Sequence, residues 1–487
     1  MQTQNLKSFK HPFVVAFIKK VPFLLFFYFY GSTLLPAQQI QGIWIGSLEV
    51  QGIPLPIHIT VEQENKAWKA HFSSPAQNAF GIPFHSAKYK RKKLTLTAPD
   101  IDAVFKARLI NDTLLEGVWT QFGVSYPLHL TRFKESDSAT TPMHKPQDPT
   151  REERASYTEK NILLPGSVTG VTLGAAFVIP EGPGPFPAVV LVNGSGPQDR
   201  NATVVGHKPF LIIAHHLALH GIASIRYDDR QIGESTGLFD TSTTADFTND
   251  AETALTFLLN HPTIDSSKVG VIGHSEGGLI AAMLGARNPG AAFLISLAGP
   301  AGPISQVLLE QLNDINVASG SNNEQLQFNL FVSEQLYQFI QSTSTPSQAH
   351  KELDSFLNQF QSQNPQYSQS FLDSLKPQLK ALTSPWFHYF INTNAQDYWE
   401  QVQCPVLAIF AENDLQVRAS SNMMRLQDAF KNERAPLLNT YTFPNLNHLM
   451  QTCSSGLPGL YAQNPESFNP EVIKDMIRFI GTVNGER

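Results

Sequence analysis

The sequence predicts an α/β protein: a mainly parallel sheet covered on both faces, carrying a late helical insertion and preceded by a small all-β domain. Three observations point there. From Asn161 onward, short apolar β-branched runs alternate with helical stretches, the order of parallel strands joined by crossover helices. Between Gly302 and Gln403 that alternation stops, and a stretch rich in Gln, Asn and Ser carries helical spacing instead. From Gln41 to Phe133, apolar residues alternate with polar ones and are broken by Gly, Pro and Asn, as in an antiparallel barrel or sandwich.

The first element is a targeting segment. Lys7, Lys10, Lys19 and Lys20 precede the apolar run Val21 to Leu35, and Ala37 offers a small residue for cleavage. Residues 1–37 therefore read as a signal peptide of an exported protein, periplasmic or extracellular. The competing reading is an N-terminal membrane anchor, since Val14 to Leu35 approaches spanning length. With no cysteine near the cut, lipid attachment there is excluded.

Residues 38–134 form the β domain, with strand segments GIWIGSLEV, PLPIHITVEQ, KAWKAHFS, KLTLTAP, DAVFKARLI, DTLLEGVWT and YPLHLTRF. Trp44, Trp68 and Trp119 are read as its packing, and the basic run Lys88 to Lys93 as a solvated hairpin. Residues 135–160 are polar, hold Pro142, Pro146 and Pro149, and show no apolar period, so they read as a linker.

Residues 161–487 make the α/β domain. Its expected strands are Leu173 to Ile179, Ala188 to Asn193, Ile222 to Tyr227, Val269 to Ile272, Phe293 to Ala298, Val406 to Phe410 and Leu438 to Phe443. Helices are expected near Pro209 to Leu219, Phe247 to Asn260, Gly278 to Arg287 and Glu471 to Thr482. The insertion, residues 303–403, leaves and rejoins between strands and has helical spacing at Val307–Leu312, Leu326–Phe339, Ala349–Gln361 and Phe371–Leu382. It is a cap over the carboxyl end of the sheet, where strand-end loops converge.

Composition narrows the function. A net charge of −6 with 16% charged residues leaves no polycationic face for nucleic acid. Cys404 and Cys453 are the only cysteines, too few for a disulfide framework. Cys404 opens one strand and Cys453 follows the loop beyond the next, so opposite ends of the sheet keep them unpaired. No His-Glu-x-x-His, Cys-x-x-Cys or acidic Ca²⁺ loop appears, so neither metal nor cofactor is expected.

The chemistry centres on Lys268 to Ala282, KVGVIGHSEGGLIAA. A strand, then Gly-His-Ser-Glu-Gly, then a small-residue helix is the context of a nucleophile elbow, which exposes Ser275 where a base can reach it. The bland alternative is a Gly-rich turn whose serine caps the helix. A serine nucleophile needs an imidazole base and a carboxylate to orient it. Asp414 follows one late strand and His448 the next, so they are the expected acid and base, with Glu412 the rival acid and His274 read as packing. The oxyanion of the intermediate needs two backbone N–H donors. Glu276, after the nucleophile, should give one; Ser195 or Gly196, in the loop after the Ala188 strand, the other. Gly194-Ser195-Gly196 lacks the Lys and spacing of a phosphate loop. Asp199, Arg200, Asp228, Asp229 and Arg230 near the same rim are read as holding loops together.

These segments resemble the secreted bacterial α/β-hydrolase esterases of the EstD type, within the serine hydrolases of serine aminopeptidase-like fold. The resemblance rests on GSGPQDRN (Gly194 to Asn201), RYDDRQIGESTG (Arg226 to Gly237), GHSEGGLIA (Gly273 to Ala281), LAGPAG (Leu297 to Gly302), SPWF (Ser384 to Phe387), CPVLAIFAENDLQV (Cys404 to Val417) and Asn447-His448. It implies carboxylesterase activity on short acyl esters, with Ser275, Asp414 and His448 at the motif positions, and often a small β domain in front. Gln231 and Ala411 stand where the family usually has Gly. The rival readings are a peptidase of similar fold, with Glu310, Glu334, Glu352 or Asp354 of the cap holding a substrate amine, and a binding protein on a hydrolase fold that has lost catalysis. The expected partner is a small-molecule ester, with membrane contact only through an uncleaved signal segment.

Overall fold

The computed structural model describes residues 40–50, 53–64, 67–74, 79–99, 103–121, 124–132, 147–287, 290–320, 323–365, 372, 376, 379–380 and 382–485. The expected signal segment lies outside them.

The first nine strands are β1 (Gly42–Val50), β2 (Ile53–Glu64), β3 (Ala67–Ser74), β4 (Ala79–Pro83), β5 (Ser86–Lys90), β6 (Lys93–Ala98), β7 (Ala103–Asn111), β8 (Leu114–Gln121) and β9 (Val124–Arg132). They make one antiparallel sheet in the order β4-β3-β2-β1-β9-β8-β7-β6-β5, curled into a nearly closed barrel. The seven expected segments are joined by β4 and by β5, the first arm of the basic hairpin. Arg91 and Lys92 form its turn at φ 50° and 63°, the left-handed pair that matches strand twist in a two-residue hairpin. Alternate residues point inward: Leu94, Leu96 and Ala98 of β6 meet Ala103, Phe105 and Ala107 of β7 in the barrel core. Trp119 packs there against Phe72 and Phe84 at ring distances of 5.4 and 6.2 Å, which is the packing role expected of it.

The second sheet holds β10 (Tyr157–Pro165), β11 (Thr172–Pro180), β12 (Phe186–Val192), β13 (Ala223–Tyr227), β14 (Ile264–His274), β15 (Phe293–Leu297), β16 (Val406–Ala411) and β17 (Leu438–Phe443). Their order is β10-β11-β13-β12-β14-β15-β16-β17, antiparallel through β10, β11 and β13 and parallel from β13 to β17.

The linker reading needs correction at its far end, because Tyr157–Pro165 is the edge strand of this sheet. An edge strand with one wet face keeps few apolar residues, so its alternation is faint. Just before it, the Gln147 carboxamide accepts from the Phe468 N–H and donates to the Phe468 carbonyl, and Asp148 pairs with Lys208 at 3.1 Å. The described end of the segment is therefore docked. Residues 133–146 lie outside the described residues.

Helices α1 (Pro209–Leu219), α2 (Thr244–Leu259) and α3 (Glu276–Arg287) follow β12, β13 and β14. Beyond the insertion come α9 (Ala419–Ala429) and α10 (Pro470–Val483). Strand residues feed two cores in alternation: Val406, Ala408 and Phe410 pack with α2, α3 and α9, while Leu407, Ile409 and Ala411 pack with α1 and α10. Both faces are covered, as the continuous apolar strands require.

The insertion contributes α4 (Ile304–Ala318), α5 (Asn323–Ser342), α6 (Pro346–Gln363), α7 (Pro385–Ile391) and α8 (Ala395–Trp399). The expected helix at Phe371–Leu382 falls largely outside the described residues. Leu336, Ile340, Leu353 and Leu357 form a separate small core of the cap. The last part of the insertion differs from expectation: Phe390, Ala395, Trp399 and Val402 belong to the main core, together with residues of α3 and the sheet. Trp399 is 1% exposed and donates to the Pro300 carbonyl.

Candidate active site

Ser275 is the single residue between β14 and α3, and its φ of 58° puts a non-glycine residue in the left-handed region. Such a conformation costs about 1–3 kcal/mol and persists only where the surroundings hold it. Here the Ser275 N–H donates to the Leu297 carbonyl at 2.9 Å, and its carbonyl accepts from the Gly278 N–H at 2.8 Å. The flanking glycines are required by contact: a Cβ on Gly273 would lie 1.9 Å from the Gly277 oxygen, and one on Gly277 would lie 2.3 Å from the Val192 oxygen.

Asp414 and His448 meet beyond the ends of β16 and β17. His448 Nδ1 lies 2.8 Å from Asp414 Oδ2, with both side chains buried. The other Asp414 oxygen accepts from the N–H groups of Gln416 and Val417 at 2.7 and 2.9 Å, so the carboxylate is fixed before it meets the ring. Asn447 braces the histidine loop, its Oδ1 accepting from the N–H groups of Leu449 and Gln451. Glu412 is exposed and caps the Asn445 N–H instead. Ser275 and His448 line one cavity.

Gly194 opens the loop after β12, and a Cβ there would come within 3.0 Å of the Ser275 Cβ. This brings Ser195 and Gly196 beside the elbow. The rim residues hold that loop: the Asp229 carboxylate accepts from the Gln198 N–H and the Asn193 side chain, and Arg200 pairs with Asp228 at 2.5 Å and with Glu234 at 2.7 Å. Burial pushes the Asp229 carboxyl well above its ordinary range.

Two side chains have contacts that the sequence did not reveal. His274 does more than pack: its Nε2 lies 2.8 Å from the His448 carbonyl, and the two rings are 4.8 Å apart. A carbonyl only accepts, so Nε2 carries the proton. Burial, with the neighbouring His448, lowers the His274 pKa to about 4 and keeps it neutral. The Glu276 side chain turns inward to Thr244 and Trp386. Neither contact has a local signal, because the partners lie far along the chain. Trp386 enters only through the SPWF segment.

A cavity of ≈ 310 Å³ opens onto Ser275 and His448. The cap supplies Val307, Leu308, Gln311, Trp386 and Phe390, and the opposite wall includes Val205, Pro209, Leu449 and Tyr461. No Lys or Arg lines it, and Glu276 is its one carboxylate, among the described residues. The cap acids named above are elsewhere: Glu310 pairs with Arg425 at 2.7 Å, Asp354 with Lys376 at 3.2 Å, and Glu334 and Glu352 are exposed. Among the described residues no group of three or more His, Cys, Asp or Glu is placed to hold a metal ion.

Residues 209–451 match the family model of serine aminopeptidase, S33. With a mainly parallel eight-stranded sheet and a serine elbow after β14, that match decides the fold. The chain has the α/β-hydrolase fold. Esterase EstD of Thermotoga maritima is 28% identical to this chain over 306 residues, which are 61% of this chain and 60% of that protein. The Pyrococcus furiosus esterase Pf2001 structure is 13% identical, with a TM-score of 0.42, covering 68% of this chain and 93% of its own. The proline iminopeptidase of Mycobacterium smegmatis is 16% identical, with a TM-score of 0.39, covering 66% and 98%.

Proposed function

We propose that this α/β-hydrolase is an exported serine carboxylesterase acting on small, uncharged esters. The observation that carries the reading is the buried Asp414–His448 hydrogen bond set beside the strained Ser275 turn. In this reading Ser275 Oγ attacks the ester carbonyl carbon and its proton passes to His448 Nε2. Asp414 holds Nδ1–H and stabilises the imidazolium that forms. The negative oxygen accepts the N–H groups of Glu276 and of Ser195 or Gly196. The alcohol departs with the His448 proton, leaving an acyl-serine. Water, deprotonated by His448, then attacks that acyl group and frees Ser275.

The relative named an esterase supports ester chemistry. A cavity without cationic side chains suits neutral substrates, since an unpaired substrate carboxylate would be desolvated there. The description of the matching family favours a second reading, an aminopeptidase. Against it stand the cap carboxylates, which are paired or exposed and do not reach the cavity. For export we rely on the basic and apolar character of residues 1–37. N-terminal sequencing of the protein from its host would start at Gln38 if the segment is cleaved and at Met1 if it is an anchor.

The test of the whole reading is a fluorophosphonate probe together with turnover of p-nitrophenyl esters of rising chain length and of aminoacyl amides. Labelling at Ser275 with faster turnover of short esters is expected. Labelling at another residue, or preference for the amides, would overturn it.

A further inference from the structure

Glu276 is a carboxylate 2% exposed, one residue from the proposed nucleophile, at the start of α3. Burying a carboxylate is costly unless donors surround it. Its Oε1 accepts from Thr244 Oγ1 of α2 at 2.7 Å and from the indole N–H of Trp386 of α7 at 2.9 Å, with Oε2 3.2 Å from the same indole. The Ser195 hydroxyl is a third donor. Burial pushes the carboxyl up from its ordinary range, while Thr244, Trp386 and Ser195 favour its ionised form, as does the N-terminus of α3.

The placement of these three donors is the informative point. Thr244 belongs to the main fold, Trp386 walls the substrate cavity from the cap side, and Ser195 sits in the loop that carries the second expected oxyanion donor. The two segments expected to supply oxyanion N–H groups are thus tied by one hydroxyl–carboxylate bond. Trp386 stacks on Phe390 at 5.1 Å and 17°, so the indole held by Glu276 also fixes the neighbouring cavity wall.

From this geometry we infer that Glu276 is a positioning residue that sets the oxyanion loop through Ser195 and the cap wall of the cavity through Trp386. The inference rests on the hydrolase reading above and adds two separable arms to it. Through Ser195 it acts on the developing oxyanion, which is a kcat effect. Through Trp386 it acts on the bound acyl or alcohol group, which is a KM effect.

The experiment compares Ser195→Ala, Trp386→Phe, Glu276→Leu and the double variant Ser195→Ala/Glu276→Leu on p-nitrophenyl butyrate. Rates are taken per site titrated by the fluorophosphonate probe, with Tm recorded for each. Ser195→Ala should lower kcat about tenfold with KM unchanged, a fraction of the loss seen when an oxyanion donor is removed outright. Trp386→Phe should raise KM about fivefold with kcat held, as loss of one hydrogen bond predicts. Glu276→Leu, which removes both acceptor oxygens at a similar side-chain size, should do both. The double variant should lose no more kcat than its worse parent, because both changes break one bond. Losses that multiply in the double variant would overturn the inference, as would a fall in Tm with kcat and KM per titrated site unchanged. A wild-type protein that the probe leaves unlabelled would sink the hydrolase reading and this inference with it; a labelled wild type with multiplying losses sinks the inference alone.

Discussion

The Nε2–H of His274 donates to the main-chain carbonyl of His448 across 2.8 Å, so the residue before the strained serine holds the backbone of the residue that faces it. His274→Phe keeps a ring against His448 and removes the donor. The expected result is a fall in kcat of about two- to tenfold, the range for one lost hydrogen bond. His274→Asn, which retains a donor, should recover part of it. Steady-state kinetics on a p-nitrophenyl ester reads both.

His274 also makes stability depend on acid. Its folded pKa of about 4 lies below the ordinary 6.5, because burial disfavours the charged ring. Between those values the unfolded chain binds more protons than the folded one, so stability present above pH 6.5 is lost as pH falls toward 4. At constant ionic strength the Tm of the wild type should fall relative to that of His274→Phe, which has no titrating ring, as pH drops from 6.5 toward 4.

Asp414 is buried against His448, whereas exposed Glu412 caps a turn. Asp414→Asn should lower kcat by about three to four orders of magnitude, since an amide at that position favours the wrong histidine tautomer. Glu412→Gln should stay within about threefold, as surface polar changes usually do. The reverse ranking of the two kcat values would move the acid.

Gly194 is pressed against the nucleophile, with room for a Cβ only 3.0 Å from the Ser275 Cβ and 3.1 Å from the His274 oxygen. Gly194→Ala should leave a folded protein with an unchanged circular dichroism spectrum, a slower fluorophosphonate reaction and a lower kcat. Labelling at the wild-type rate would show that the loop yields.

Both cysteines are free thiols. Burial pushes Cys404 up to about 11 and raises Cys453 as well, so neither is a thiolate at neutral pH. Thiol titration of the denatured, unreduced protein should count two, and the native protein should react with iodoacetamide far more slowly.

The larger fold was legible because its central strands are buried on both faces and therefore read as short continuous apolar runs. Val406–Ala411, buried throughout, could be placed in this way, and the opposite edge strand Leu438–Phe443 by its position after it, and with them the loops that carry Asp414 and His448. Edge strand Tyr157–Pro165 escaped because one of its faces is wet and its pattern is dilute. In the barrel, β4 was missed for its brevity. Gln231 sits at φ 68°, a left-handed conformation that nothing in its immediate sequence announces. The Glu276 contacts were beyond reach for another reason: Thr244 lies 32 residues away and Trp386 lies 110 away, and only the folded chain brings them together.

The way the insertion rejoins the body bears on how such proteins diversify. Its outer helices keep their own small core, but Ala395, Trp399 and Val402 fill the main one. A recombination that exchanged everything from Pro303 to Gln403 would carry away an indole that is 1% exposed and leave α3 facing a void. Exchange at Ser384 would leave that packing intact, and would keep Trp386 within reach of Glu276 whatever lid was grafted above it. The interchangeable module is thus shorter than the inserted segment, and new substrate preferences can be acquired by replacing the part that touches substrate without rebuilding the part that supports the sheet.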